Sequence, residues 1–370
     1  MTDTALRVLA PTPEETLFLR ASLPTGPPGR AAFQEWLARV DNPLDALRPP
    51  PGWVTALVPA LFHATEANAA DVPKILKSVM RAAWTHEEAR GREFEAACRD
   101  VLDATADPAI VLPGVALIAT VLHDWPLRHC HDLDLLARAD PGRTVHPSGM
   151  PVSRHTSLGG EPWFALPVAE AWSRATTAEV AGHEATVLCD ADALAHVCIL
   201  AATQIHPPVP RWAIDAWWIV ARGSVDWSVL LDAAPPRLAL ILSAQLRWLA
   251  EELGAPVPGS VLEELRRAAR AADRLSVELA LFLARRRVGA AGLVRRAGPD
   301  RPMALRATLA PSADYLDVWG VTRGEWMRRG AARLVRQPRA WPGAMRSHRE
   351  SSPGRGPRGA ETRAHHPRAR

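Results

Sequence analysis

The segment Asp132-Leu133-Asp134-Leu135-Leu136 constrains the fold of this 370-residue chain more than any other. Acidic and apolar residues alternate in it, and alternate side chains of a β-strand share one face. We therefore expect a strand that turns Leu133 and Leu135 toward a core and presents both aspartates on the opposite face. Neighbouring carboxylates repel each other unless a cation lies between them. Mg²⁺ is such a cation, because it commonly binds one or two protein carboxylates and completes its shell with water and phosphate oxygens.

The residues before the aspartates predict how the chain reaches this strand. The apolar segment 109–112 is followed by Pro113-Gly114 and then by a second apolar run, residues 115–122. This order is typical of a strand, a glycine turn and a helix. It would bring the unpaired N–H groups of a helix N-terminus close to the aspartates, where they favour an anion such as phosphate. The simpler alternative is a solvent-facing Asp-Leu-Asp triplet, since aspartates are mostly exposed.

Several short segments, taken in order along the chain, together resemble an uncharacterised nucleotidyltransferase family of the polymerase-β-like superfamily. The bacterial members of this family often occur beside genes for peptide natural-product biosynthesis. The segments are Leu112-x-Gly114, Arg128-x-x-x-Asp132-x-Asp134, Val152-Ser-Arg-His155, the helix from Ala195 to His206, Arg211-Trp212-x-x-Asp215 and Asp226-Trp227-x-x-Leu230-Leu231. The resemblance implies Mg²⁺ or Mn²⁺ as cofactor, an NTP as substrate and an unknown acceptor, such as a peptide.

The resemblance also implies a role for each matched residue. Asp132 and Asp134 would hold the metal ion, and Gly114 and Arg128 would face the phosphates. His155 would bind phosphate or act near the acceptor. The expected activity is transfer of a nucleoside monophosphate from an NTP to a hydroxyl or peptide group. Two of these roles stay open: Arg128 could instead pair with Asp132, and His155 could be a hydrogen-bonded structural residue.

The chain departs from the family pattern in ways that favour a second hypothesis, a catalytically impaired binding module. Pro113 stands where the family tends to have a lysine that contacts phosphate. Ser153 stands at the position where the resemblance expects a third metal-binding carboxylate. Glu161 or Asp190 could supply that carboxylate instead. The link between the aspartate strand and the His155 segment is also too short for the helix that family members have there.

Histidines beside the aspartates allow two further kinds of metal site. His129 and His131 could bind a transition metal, or His131 and Asp132 could form the doublet of a His-Asp phosphohydrolase. That doublet lies on a helix in such hydrolases, whereas the alternation here indicates a strand. Four polar residues lie on or after the helix that follows Asp190: His196, His206, Arg211 and Asp215. We interpret them as capping and packing groups. Arg211 and Asp215 could also pair with each other, because they are one helical turn apart.

The expected fold class is α/β, with a small mixed sheet of nucleotidyltransferase type between N-terminal and C-terminal helical layers. Ala, Leu and Arg dominate the composition, which favours helices. The expected regions are an N-terminal helical region (1–105), the α/β core (106–192), a C-terminal helical region (193–290), a loosely packed basic segment (291–336) and a disordered Arg/Pro-rich tail (337–370).

Element boundaries follow from local signals. In the first region, the patterns of residues 72–84 and 87–104 predict two helices, and any helix in 53–64 should be short or kinked because of Pro59. Residues 151–158 and 185–189 are predicted strands, and residues 193–206 a predicted helix.

Cysteine and charge patterns bear on location and partners. The four cysteines show no Cys-x-x-Cys spacing and the chain starts without a secretory signal, which predicts a reduced, cytoplasmic protein. No uninterrupted apolar run is long enough for a membrane span, so no membrane partner is expected. The arginine-rich tail could contact nucleic acid, but it has no interleaved aromatic residues for base stacking, so a solubilising role is favoured.

Overall fold

In a computed structural model of the chain, the described residues are 10–47, 52–139, 142–160, 164–203 and 210–272, with the single positions 277, 281, 322, 324, 325 and 328. The chain divides into two units, Met1–Arg323 and Gly324–Arg370. The first contains the helical layer, the sheet and the C-terminal helices that the sequence predicts as separate regions. The expected basic segment 291–336 and the tail 337–370 lie almost entirely outside the described residues.

An N-terminal helical layer precedes the sheet, as expected. Its helices are α1 (Pro13–Ala21), α2 (Pro27–Arg39), α3 (Pro43–Ala46), α4 (Gly52–Ala67) and α5 (Lys74–Ala104). The first helix starts with a capping box, in which the Thr12 side chain accepts the Glu15 N–H and the Glu15 carboxylate accepts the Thr12 N–H. Both exchanges satisfy backbone donors that a helix N-terminus leaves unpaired.

In this layer, the predicted break between two helices is absent, and the helix that contains Pro59 is not short. Residues 74–84 and 87–104 belong to one helix of 31 residues, α5, because no proline interrupts it and Thr85, a capping type of residue, remains inside the helix. Pro59 lies inside α4, which runs for 16 residues. Burial of its neighbours Leu57, Val58 and Leu61 offsets the backbone hydrogen bond that Pro59 cannot make.

Six strands form a mixed sheet in the order β3-β4-β2-β1-β8-β7. They are β1 (Ala109–Val111), β2 (Leu133–Ala137), β3 (Gly142–Val145), β4 (Pro151–His155), β7 (Thr176–Val180) and β8 (His183–Val187). A separate hairpin contains β5 (Leu158–Gly160) and β6 (Phe164–Leu166). Residues 151–158, predicted as one strand, are therefore divided between β4 and β5, and the predicted strand 185–189 overlaps β8.

The strand, glycine turn, helix and strand predicted around Gly114 are all present. Between β1 and β2 the chain forms α6 (Val115–Leu117), a π-helical turn (Ile118–Leu122) and a 3₁₀ turn (Trp125–Leu127). The short link after β2 has a simple explanation. It contains the edge strand β3, antiparallel to β4, and β4 returns parallel to β2, so no helix is needed in this crossover.

Helices follow the sheet as expected. They are α7 (Val168–Arg174), between β6 and β7, and then α8 (Asp190–Thr203), α9 (Arg211–Ala221), α10 (Trp227–Asp232), α11 (Pro236–Leu253) and α12 (Gly259–Ala269). The predicted helix 193–206 begins three residues earlier, at Asp190, and His206 lies outside the described residues. No helix in the described part of the chain is both long and apolar enough to cross a membrane.

The two faces of β2 have different surroundings. Leu133 and Leu135 are fully buried in a cluster with Phe94 and Cys98 of α5, which confirms the predicted inward face. Leu136, on the opposite face, belongs to a separate and larger core that also contains α8. The described residues thus form a mixed α/β fold, and Asp132 and Asp134 lie on the face of β2 that meets the C-terminal helices.

Candidate functional site

A pocket lies between the start of β2 and helices α8 and α9, and four of the five predicted site residues line it. These are Gly114, Arg128, Asp132 and Asp134. The helices supply other lining residues, including His196, Val197, Leu200, Arg211, Trp212 and Asp215. The predicted site therefore comes together from segments far apart in sequence, and the C-terminal helices complete it.

Asp132 and Asp134 face this pocket without strong ionic partners. Their side chains are 35% and 33% exposed. Among the described residues, neither carboxylate lies within salt-bridge distance of an arginine or lysine. Asp132 lies beside His131, with 3.8 Å between Asp132 Oδ2 and His131 Nε2. Both carboxylates are thus available to bind a cation. The metal site predicted from the sequence requires this availability.

His155, the fifth predicted residue, contacts Asp134. Its Nε2 lies 2.9 Å from Asp134 Oδ1. The hydrogen bond from His155 to the Asp134 carboxylate raises the pKa of His155 above its usual value, although partial burial opposes this. Ser153, on the same strand, pairs in register with Asp134. Ser153, at the position where a third carboxylate is expected, therefore contributes a neutral hydroxyl next to Asp134 in the sheet.

Arg128 is held by Asp215 of α9, not by Asp132. Its Nε and Nη2 each donate to one Asp215 carboxylate oxygen at 2.9 Å, and its Nη1 donates to Cys130 Sγ at 2.9 Å. Burial alone would lower the pKa of Arg128, but Asp215 outweighs it and the pKa is raised. The predicted pairing of Arg211 with Asp215 was wrong, because α9 directs the Asp215 carboxylate to the guanidinium of Arg128. Sequence spacing could not identify that partner.

Arg211 lines the same pocket but has a different environment. Its Nη1 donates to the His129 carbonyl at 2.8 Å. No carboxylate among the described residues lies within salt-bridge distance of its guanidinium. Burial, together with the nearby positive charge of Arg128, lowers the pKa of Arg211. Arg128 thus has a carboxylate within salt-bridge distance, whereas Arg211 has none among the described residues and is affected by Asp215 and Asp132 only at longer range.

The short segment that leads into the aspartates is fixed by contacts from both sides. Arg90 of α5 donates to the Cys130 carbonyl and also pairs with Glu87. Glu87 in turn lies 3.0 Å from His129 Nδ1. Arg211 binds the His129 carbonyl from the opposite side. Helices α5 and α9 therefore determine where β2 begins and where Asp132 is held.

Gly114 adopts a backbone conformation that favours glycine, with φ +145°. A Cβ atom added there would lie 3.4 Å from Nη1 of Arg128. The glycine therefore allows both the turn between β1 and α6 and the close approach of the Arg128 guanidinium. His196 of α8 is buried nearby, and burial lowers its pKa to about 4, so it is neutral at pH 7.

The remaining sequence candidates are not gathered at this site. The His129 side chain is engaged by Glu87, and His131 is largely exposed. Asp190 interacts with Arg222 and Ser224, residues that line a second pocket. Glu161 lies outside the described residues. Within the described ranges, no group of three or more His, Cys, Asp or Glu side chains is arranged to hold a metal ion.

The His-Asp hydrolase hypothesis loses its support here. The doublet His131-Asp132 directly precedes a strand, β2, and does not lie on a helix. The residues that sequence reasoning undervalued are Arg211 and Asp215, whose side chains line the pocket and do more than pack. The sequence signal available for them was the Arg211-Trp-x-x-Asp215 segment, whose local spacing does not indicate their partners.

Comparison of the chain with models of known protein families, with curated proteins and with solved structures gives no significant match.

Proposed function

We propose that this protein is a metal-dependent nucleotidyltransferase that transfers a nucleoside monophosphate from an NTP to a hydroxyl or peptide acceptor. One observation carries the proposal. Asp132 and Asp134, with no arginine or lysine partner in the described part of the chain, line the same pocket as Gly114 and Arg128. Carboxylates without an arginine or lysine in salt-bridge distance, in a pocket that also contains arginines, suit a ligand that combines a metal ion with phosphates.

The donor set is compatible with one hard divalent cation. Asp132 and Asp134 would hold Mg²⁺ or Mn²⁺ through carboxylate oxygens, and both are partly exposed, so water could complete the shell. When bound, such an ion neutralises phosphate charge and orients the reacting groups. Without it, the two carboxylates would weaken the binding of a triphosphate, so we expect the divalent ion to increase the affinity for the nucleotide.

The protein's own groups contribute positioning. His155 donates to Asp134 Oδ1 and leaves Oδ2 without a hydrogen-bond partner among the described residues. The Arg128–Asp215 pair fixes the wall of the pocket and the approach to Gly114. Holding the acceptor and the nucleotide in a fixed orientation is a large part of catalysis in this class of reaction.

The sheet topology supports a nucleotidyltransferase-type core. β2, which contains Asp134, lies between β1, the strand before the glycine turn, and the parallel strand β4. Register places Ser153 of β4 opposite Asp134, where the resemblance expects the third carboxylate. We interpret this register as compatible with the resemblance, from which the proposed context of peptide natural-product biosynthesis is taken.

Titration calorimetry with Mg²⁺-ATP and Mg²⁺-GTP, combined with a pyrophosphate-release assay, tests the proposal. Wild type should bind, and Asp134→Asn should lose binding and release. The matched control is Asp103→Asn, since Asp103 also hydrogen-bonds a histidine, His183, at 2.7 Å but does not line the pocket. Equal heats from wild type and Asp134→Asn, or none from either protein, would contradict the proposal.

Ser153 favours a second candidate, a nucleotide-binding module with impaired catalysis. A serine hydroxyl cannot replace a carboxylate as a ligand for a second metal ion. This candidate predicts nucleotide binding without pyrophosphate release for any NTP, with or without candidate peptides. It also predicts that Ser153→Asp, next to Asp134 in register, gains release activity. Robust release by wild type would eliminate this candidate.

A further inference from the structure

Two guanidinium groups line the pocket, and among the described residues one carboxylate, that of Asp215, lies within salt-bridge distance of either. Each of the three Arg128 nitrogens already donates, two of them to Asp215 and one to Cys130 Sγ. Arg211 uses one nitrogen, for the His129 carbonyl. A guanidinium has five N–H donors, so most donors of Arg211 have no partner among the described residues.

This difference leaves a net positive charge on one wall of the pocket. The charges of Arg128 and Asp215 cancel, whereas the charge of Arg211 has no counter-ion within salt-bridge distance in the described structure. Arg211 is partly exposed, so water compensates part of its charge, and a bound anion would compensate the rest. The lowered pKa of Arg211 has the same origin, burial and the neighbouring Arg128.

We propose that Arg211 is the phosphate-binding residue of this pocket and that Arg128 is a positioning residue that holds the surrounding wall. The proposal rests on the proposed function, because the expected ligand is the triphosphate of a nucleotide. A guanidinium matches phosphate geometry by donating two parallel hydrogen bonds, and Arg211 has the free donors for them. Asp132 and Arg211 line the same pocket, so one polyphosphate could contact Arg211 and a metal ion at Asp132.

Binding of inorganic tripolyphosphate in the presence of EDTA tests this assignment without a metal ion or catalysis. Arg211→Gln keeps an N–H donor for the His129 carbonyl but removes the charge, and affinity should fall about 10- to 100-fold. The matched control is Arg222→Gln, at the end of the same helix, where Arg222 is half exposed and pairs with Asp190 outside this pocket. Its affinity should equal that of wild type.

A conservative variant covers the case in which Arg211→Gln does not fold. Arg211→Lys keeps the charge and loses the planar fork, so its affinity should fall between those of wild type and Arg211→Gln. Thermal unfolding of each variant shows which proteins are folded. Absence of tripolyphosphate binding by wild type would overturn the proposal. So would wild-type affinity in a folded Arg211→Gln or Arg211→Lys protein.

The same experiment separates this inference from the proposed function. Asp134→Asn should bind tripolyphosphate in EDTA at least as tightly as wild type, because it removes a negative charge from the pocket. If tripolyphosphate binding depends on Arg211 but no pyrophosphate is released, the phosphate site is supported and the proposed transfer reaction is contradicted. If Arg211→Gln releases pyrophosphate with an unchanged KM for the nucleotide, the proposed reaction is supported and the role of Arg211 in phosphate binding is contradicted.

Discussion

Acidic side chains occur in two contrasting settings in this protein. On the helices, Glu87, Asp192 and Asp215 are buried, and each is hydrogen-bonded to an arginine. At the start of β2, Asp132 and Asp134 remain partly exposed, and the groups within salt-bridge distance of them in the described part of the chain are histidines. Burial of a carboxylate requires a compensating cation, whereas a carboxylate that stays in contact with water needs none. We infer that the helix acids stabilise the fold and that the β2 acids remain available for a ligand.

Replacement of Asp215 should give the largest loss of stability. Asp215→Ala leaves the buried guanidinium of Arg128 without its counter-ion, and the free energy of unfolding should fall by about 3–5 kcal/mol. Urea denaturation measures this. Asp192→Ala is the comparison, and it should lose less because its partner Arg174 is 26% exposed and can be hydrated. A loss below about 1 kcal/mol in Asp215→Ala would show that the pair is not structural.

Glu87 should make stability depend on acid pH. Burial alone would raise the pKa of Glu87, but hydrogen bonds from His129 and Arg90 outweigh it and lower the pKa from 4.5 to about 2. Because the folded pKa is the lower one, this stabilisation is complete above pH 4.5 and is lost as the pH falls toward 2. The shift corresponds to about 3 kcal/mol.

Urea denaturation of wild type and Glu87→Gln across this pH range isolates the contribution. The difference in unfolding free energy between the two proteins should be largest near neutral pH and should shrink toward pH 2. A difference that does not change with pH would contradict the assignment of the shift to Glu87.

Gly114→Ala should cost about 1–2 kcal/mol of stability, because an L-residue rarely adopts its positive φ. Gly223→Ala is a control for backbone strain alone, since Gly223 also has a positive φ but nothing lies within 4 Å of an added Cβ. Thermal unfolding compares the two variants. Only Gly114→Ala should also weaken tripolyphosphate binding, because the strained turn lines the pocket beside Arg128 and Gly223 does not; equal binding in both variants would contradict this.

Replacement of Asp134 should affect stability least. Asp134→Asn removes a partly exposed pair with His155, so the free energy of unfolding should change by less than about 1 kcal/mol. Urea denaturation measures this change, and the same variant should lose pyrophosphate release. A loss comparable to that of Asp215→Ala would place Asp134 among the structural acids and remove the contrast between the two settings.

Local patterns predicted much of the local structure around the candidate site. The alternation of Asp132, Leu133, Asp134 and Leu135 indicated a strand with two faces, because the period of a strand does not depend on its surroundings. Gly114 marked the turn before it. These features depend on neighbours in the chain, so composition and spacing were sufficient to find them.

The partners of the charged residues were determined by tertiary structure alone. Arg128 and Asp215 are 87 residues apart, and Arg211 reaches a carbonyl 82 residues away, so no local spacing indicates either contact. The sequence by itself determined the face on which Asp132 and Asp134 lie. Only the packing of α9 against the start of β2 decided which arginine is neutralised and which retains free donors, because charge compensation depends on distance in space and not along the chain.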